Sequence, residues 1–273
     1  MTIITMRLIK MFLFVLPSVL IPKVFAATGK ANVLVCYGRL NPETVKGYNV
    51  VILEQEHYKP SEIKKMKTQN DKVLAYISLG EVNRHAKHYP LLKGSTLGKN
   101  QLWDSYYLDL TAEKTKQVLM KIIGETIAMG YDGFFLDNFD NFGPWGKQTA
   151  QKAELVALLK SIYDKYPHYT FLQNAGIDLI AQTAPYVDGV VVESVATDYS
   201  FTDKKYQLRA EDDFQQRANR LADISTQYKL PVTLIEYAGT EAMRTAVEKK
   251  ISATGFDYFI GQIDLQKIPQ FTN

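Results

Sequence analysis

Short apolar runs and amphipathic stretches alternate along this chain from one end to the other. Runs rich in β-branched and aromatic residues, each bounded by turn residues, fall at 33–37, 49–54, 72–79, 133–137, 169–174, 189–193, 231–237 and 257–263. Their length and composition predict strands. They are nearly continuous in apolar residues instead of alternating, as strands covered on both faces must be. Helical patterns lie between them: Ser61 with Glu62 before a Lys-rich turn, Thr111-Ala-Glu-Lys opening a stretch to Met129, then Ala153 to Tyr166, Glu211 to Tyr228 and Thr240 to Ala253. Eight strands separated by helices predict an α/β protein built as a single (β/α)8 TIM barrel. Tyr106-Tyr-Leu-Asp-Leu110 is a ninth extended segment, assigned to an extra element in the long loop after the third strand; as a barrel strand it would break the count.

The first apolar run has another origin. Arg7 and Lys10 precede the run from Met11 to Ile21, and Val24-Phe25-Ala26 supplies the small residues of a cleavage site. This pattern predicts a secretory signal peptide over 1–26, with the barrel over 27–273. The run is too short to span a bilayer, is interrupted by Pro17, and is followed by no cysteine at the cut. The expected product is a secreted or periplasmic monomer with no membrane anchor.

Cleavage also changes the charge. Arg7, Lys10 and Lys23 are the leader's only charged residues, so the formal +3 of the whole chain becomes neutrality, 29 basic against 29 acidic residues. No basic patch is implied, and nucleic acid is not an expected partner. The lone cysteine, Cys36, excludes an internal disulfide and sits in the apolar run Val33-Leu-Val-Cys-Tyr37, where a buried, inert thiol is expected. A chain of this size could be two domains on length alone, but it has no Ser/Gly/Pro-rich linker and no low-complexity tract.

Polar residues gather at the carboxyl ends of the predicted strands. The second ends in Glu54-Gln55-Glu56 and the third runs into Ser78-Leu-Gly-Glu81. The fourth ends in Asp137-Asn138, the fifth in Gln173-Asn174, the sixth in Glu193-Ser194 and the seventh in Glu236-Tyr237, while the eighth approaches Gln262 and Asp264. In a (β/α)8 barrel these ends form the catalytic face. An apolar run such as Phe134-Phe-Leu136 or Val190-Val-Val192 that closes on a carboxylate needs an open site there, because a buried, unpaired charge is costly. Taken singly some have other readings: Glu54 in a solvated loop, Asp140 as a turn cap. Seven ends together point to a site.

Several carboxylates, amides and aromatics without a reactive cysteine suit glycoside hydrolysis, where one carboxyl protonates the leaving oxygen and another attacks the anomeric carbon or activates water. The fourth and sixth strands are next-but-one neighbours in such a barrel, so Asp137 and Glu193 are expected to meet across its mouth. No metal or other cofactor is expected. Asp137, Asn138 and Asp140 lack the glycine and distal glutamate of an EF-hand loop, and His85 and His88 have no accompanying carboxylate motif. Neither a Gly-x-Ser-x-Gly motif nor a phosphate-binding glycine loop is present.

The motifs Ala75-Tyr-Ile-Ser-Leu-Gly-Glu81, Gly130-Tyr-Asp-Gly-Phe-Phe-Leu-Asp137-Asn-Phe-Asp140 and Gly189-Val-Val-Val-Glu193-Ser194 resemble those of glycoside hydrolase family 114, the endo-α-1,4-polygalactosaminidase family. The resemblance spans nearly all of the mature chain. It implies a secreted (β/α)8 enzyme that cleaves galactosamine-containing polysaccharide internally, with Asp137 and Glu193 as the catalytic pair. In the expected scheme Asp137 is nucleophile or base, held ionised by Asn138, and Glu193 is general acid. Glu81, Asn174 and Glu236 are the nearest substrate-binding candidates, joined by Glu54, Asn138 and Asp140. Tyr37, Tyr58, Tyr76, Trp103, Trp145 and Tyr237 are candidates to stack on sugar rings, Trp145 above all because it follows Gly143-Pro144 in a loop. The alternative is a non-catalytic carbohydrate-binding barrel of a polysaccharide secretion or adhesion system, which would need the aromatics and amides but not both carboxylates.

Overall fold

The computed structural model describes residues 33–272, so the leader expected over 1–26 lies outside the described residues. The strands in chain order are β1 (Val33–Cys36), β2 (Val50–Glu54), β3 (Lys72–Ser78), β4 (Glu81–Asn83), β5 (Thr96–Asn100), β6 (Ser105–Leu108), β7 (Gly133–Asp137), β8 (Thr170–Asn174), β9 (Gly189–Glu193), β10 (Thr197–Ser200), β11 (Lys205–Leu208), β12 (Val232–Tyr237) and β13 (Asp257–Gly261). The α-helices are α1 (Pro60–Lys67), α2 (Tyr89–Leu92), α3 (Glu113–Ala128), α4 (Lys152–Lys165), α5 (Ile180–Thr183), α6 (Glu211–Tyr228) and α7 (Glu241–Ile251).

Eight strands pair in the order β1-β2-β3-β7-β8-β9-β12-β13, and each ladder between them is parallel. These are the eight runs expected from the sequence, and the architecture is a (β/α)8 barrel. The ring comes nearly closed where β13 returns beside β1: just beyond the two strands the Tyr37 N–H donates to the Leu265 carbonyl at 2.7 Å. Closure depends on Gly38, since a Cβ there would stand 1.9 Å from the Gln266 carbonyl oxygen. Gly133 has the same function between β7 and β8, where a Cβ would lie 2.0 Å from the Thr170 carbonyl oxygen.

The two faces of β7 show why its run is continuously apolar. Phe134 stacks on Phe171 with ring centroids 5.6 Å apart, and Phe171 meets Tyr163 of α4. Phe135 points the opposite way and lies 6.0 Å from Tyr76. One face therefore packs against helices while the other fills the barrel, and Phe134, Phe135 and Leu136 are all fully buried. Helix α6 buries Phe214, Ala218, Leu221 and Ile224, a spacing that lines one stripe, and its first turn carries Glu211, Asp212 and Asp213, which suit the positive end of the helix dipole.

The ninth extended segment is β6, the middle strand of a small antiparallel sheet, β4-β6-β5, inserted after β3. A second insertion, the antiparallel hairpin β10-β11, follows β9. Strands β4, β5, β10 and β11 were not expected. β5 and β11 are mostly exposed, so their residues carry no buried face and no period-2 signal, and backbone pairing alone defines them. Cys36 is buried and free, and burial pushes its thiol up from the ordinary value.

Candidate active site

Three neighbouring strands, β7, β8 and β9, end in Asp137, Asn174 and Glu193. The residue after each, Asn138, Ala175 and Ser194, takes a left-handed conformation with φ of 69°, 55° and 56°. Such conformations are strained for residues other than glycine and cluster at functional sites. Here each directly follows a polar strand-terminal side chain.

Asn174 joins the two carboxylates. Its Nδ2 donates one hydrogen to Asp137 Oδ1 at 2.8 Å and the other to Glu193 Oε1 at 2.7 Å. The amide orientation follows from this, because a flipped side chain would aim its carbonyl oxygen at two carboxylates. A tyrosine donates to the far oxygen of each acid: Tyr76 to Asp137 Oδ2 at 2.8 Å and Tyr237 to Glu193 Oε2. Burial raises both carboxyls above the ordinary range. For Asp137 the hydrogen bonds from Asn174, Tyr76 and the Asn138 backbone oppose the rise. For Glu193 the Asp137 charge adds to the rise, and only Tyr237 and Asn174 oppose it. The expected helper of Asp137 is thus replaced: Asn138 contributes its backbone N–H, while its side-chain Oδ1 accepts from Ser78, and the donating amide is that of Asn174.

These groups stand in a cavity of about 640 Å³ that Tyr37, Glu54, Tyr76, Glu81, Asp137, Asn138, Asp140, Asn174, Glu193 and Tyr237 all help to line. Tyr37 packs on Tyr76 with ring centroids 4.6 Å apart. The charged lining has one sign. Glu54, Glu56, Glu81, Asp137, Asp140, Glu193 and Asp264 contribute, and among the described residues no lysine or arginine does. Burial pushes the Glu54 carboxyl up to about 7. Between pH 4.5 and about 7 the folded protein therefore binds a proton at Glu54 that the unfolded chain has lost, and stability falls as pH rises through that window. Glu54→Gln is expected to stabilise the protein at pH 8 by up to about 3 kcal/mol and to change little at pH 4; urea unfolding at the two pH values checks this.

Glu81 lines the cavity but is itself held in place. It is buried, and its carboxylate accepts from Asn141 at 2.8 Å, from Asn100 at 3.1 Å and from Ser105, tying the small sheet to the loop after β7. Nothing in the sequence marked Asn100, Ser105 or Asn141 as its partners, which are 19 to 60 residues away. Asp140 is exposed at the rim. Three expected substrate contacts stand elsewhere. Tyr58 is buried, its hydroxyl accepts the Leu40 N–H at 3.0 Å, and it does not line the cavity. Trp145 is 95% exposed and does not line the cavity, because its loop turns it outward to solvent. Glu236 is fully buried, and both its oxygens are occupied: Oε1 by the N–H groups of Val195 and Ala196, each at 2.9 Å, and Oε2 by the Thr197 N–H at 2.9 Å and the Thr197 hydroxyl at 2.6 Å. It is a clamp on the loop that follows Glu193, not a wall of the cavity.

Several solved structures resemble this one. The glycoside hydrolase domain of PelA from Pseudomonas aeruginosa superposes with a TM-score of 0.77 at 24% identity, over 88% of this chain and 98% of that one. Aspergillus fumigatus Ega3, solved in complex with galactosamine, gives 0.70 at 17% identity, over 87% and 93%. An α-galactosidase from Thermus thermophilus gives 0.56 at 11% identity, over 85% and 58%. At these identities the likeness is one of fold. Comparison with curated protein sequences returns no match. The sequence model of glycoside-hydrolase family GH114, however, matches residues 25–273, nearly the whole chain and all of the cavity just described, and the protein belongs to that family.

Proposed function

We propose that the protein is an exported, endo-acting hydrolase of α-1,4-linked galactosamine and N-acetylgalactosamine polymers, its first 26 residues removed on export, with Asp137 as nucleophile and Glu193 as general acid and base. The observation that carries the reading is the carboxylate pair bridged by Asn174 at the floor of a cavity whose charged lining is wholly acidic. Partly deacetylated galactosamine carries ammonium groups, which such a wall attracts and can hold by charge-assisted hydrogen bonds. The structure of Ega3 with galactosamine supports an amino sugar as the unit recognised.

Two oxygens that share one donor nitrogen at 2.8 and 2.7 Å can stand no more than about 5.5 Å apart, which favours a retaining mechanism (~5–5.5 Å) over an inverting one (~6.5–9.5 Å). Each acid accepts two side-chain hydrogen bonds, and we assign the proton shared by the pair to Glu193, whose carboxyl burial and the neighbouring Asp137 charge both raise. Glu193 gives that proton to the glycosidic oxygen as the bond to the anomeric carbon breaks, and an Asp137 oxygen forms the new bond to that carbon. Water then attacks the same carbon, giving its proton to Glu193 and releasing Asp137.

The test is to incubate residues 27–273 with partly deacetylated α-1,4-galactosaminogalactan and to follow products by mass spectrometry, with Glu193→Gln as control. Oligosaccharides from the wild type alone, with the α anomer appearing first by NMR, are expected. Retention of both proteins on the immobilised polymer without products would favour the carbohydrate-binding barrel instead.

A further inference from the structure

Four aromatic rings form a row above the cavity. Trp103, in the turn between β5 and β6, lines the cavity and meets Phe201 edge-on with centroids 5.3 Å apart. Phe201, in the turn of the β10-β11 hairpin, meets Tyr199 at 5.0 Å, and Tyr199 meets Tyr206 at 4.8 Å. The far end of the row is anchored. Tyr206 lies so close to Gly239 that a Cβ there would stand 2.7 Å from the ring, and its hydroxyl accepts the Ile263 N–H at 3.2 Å.

The row therefore starts from loops after β12 and β13 and ends on the insertion after β3. β3 and β12 are four places apart in the order of eight strands, on opposite sides of the ring, so the row spans the mouth. The two members at its free end are not core residues, since Trp103 is 53% exposed and Phe201 41%. Large rings left half in water on two separate insertions, continuous with a polar cavity, mark a binding surface.

We infer that Trp103 and Phe201 form an outlying subsite that stacks on sugar units of the polymer beyond the bond being cleaved. The inference rests on the reading of the cavity as a glycan site. A pyranose ring presents an apolar C–H face that fits an aromatic plane, and rigid rings supply that area at little entropic cost. The acidic floor selects charge at the cleaved bond, whereas the ring row selects length, since only a chain reaching past Trp103 gains from it.

The chain contains two tryptophans, and Trp145 lies outside the cavity, so Trp145→Phe leaves Trp103 as the only indole reporter. In a Trp145→Phe, Glu193→Gln protein, titration with partly deacetylated α-1,4-galactosamine oligomers is expected to shift the Trp103 emission to the blue, with saturation for chains of roughly five units or more and little response to the disaccharide. Phe201→Ala in the same background is expected to weaken the long-chain response on the order of tenfold. Trp103→Ala in the otherwise native enzyme is expected to raise KM for polymer by a similar factor and to raise KM for the shortest cleaved oligomer much less. An emission that stays fixed while the native enzyme cleaves polymer, together with an unchanged KM in Trp103→Ala, would overturn the subsite and leave the hydrolase reading standing. A length-dependent shift without turnover by the native protein would support the subsite and remove the hydrolase reading.

Discussion

Asp137→Asn and Glu193→Gln are each expected to lower turnover on the order of 10³-fold or more while raising the melting temperature at pH 7. The loss of activity follows from the chemistry: an amide neither attacks the anomeric carbon as a carboxylate does nor gives a proton to the leaving oxygen. The gain in stability follows from the surroundings. Burial raises both carboxyls, and the Asp137 charge further raises Glu193. The folded protein thus binds protons at this pair where the unfolded chain has lost them, and its stability falls as pH climbs from the ordinary carboxyl range through the raised values. An amide carries no charge to desolvate, yet keeps an oxygen for Asn174 and a donor for the neighbouring tyrosine, so the fold is retained. Differential scanning calorimetry should show the gain at pH 7 and little of it near pH 3, below the ordinary carboxyl values, where the native carboxyls are protonated in both states. An Asp137→Asn protein with wild-type turnover would end the proposed assignment.

Glu236→Ala is expected to cost about 3–5 kcal/mol of stability, because it strips the acceptors from three backbone N–H groups in a fully buried place, each worth ~1–3 kcal/mol when left unpaired. Burial raises the Glu236 carboxyl, and the four donated bonds oppose the rise. All of its hydrogen-bond partners being donors, the ionised form is the one the nest fits. The clamped residues Val195, Ala196 and Thr197 directly follow Glu193 and the left-handed Ser194. Releasing them should let Glu193 drift from Asn174 and Tyr237, so turnover at a temperature where the variant remains folded should fall at least tenfold. Thermal unfolding and single-temperature kinetics separate the two effects: a folded Glu236→Ala protein with native kcat would make Glu236 a stability residue alone.

Glu193 and Glu236 also show how far the sequence could be read. Each stands at the end of an apolar strand, Glu193 as the last residue of β9 and Glu236 as the last but one of β12. Strand membership was legible in both, because a run covered on two faces must be apolar over its whole length. Their roles were not, since Glu236 is neutralised by N–H groups some 40 residues earlier and Glu193 is bridged by an amide on the neighbouring strand. Asn174 was expected to bind substrate from its place at a strand end; its part in spacing the two acids emerged only when β7, β8 and β9 were set side by side. The two tryptophans divide similarly. Trp145 had the stronger local signal and faces solvent, while Trp103 lies in an unremarkable turn that a distant hairpin brings into a row of rings.

By itself, then, the order of apolar and polar residues determined the eight strands, most of the helices, the barrel, and the set of polar strand ends from which a site had to be drawn, because covering both faces of a strand and one stripe of a helix is a local demand on composition. Which of those ends face a common cavity, which are satisfied by backbone, and how far apart the two acids stand were decided only by the barrel and its two insertions, because burial, charge and hydrogen bonding depend on partners that the chain brings together from positions far apart.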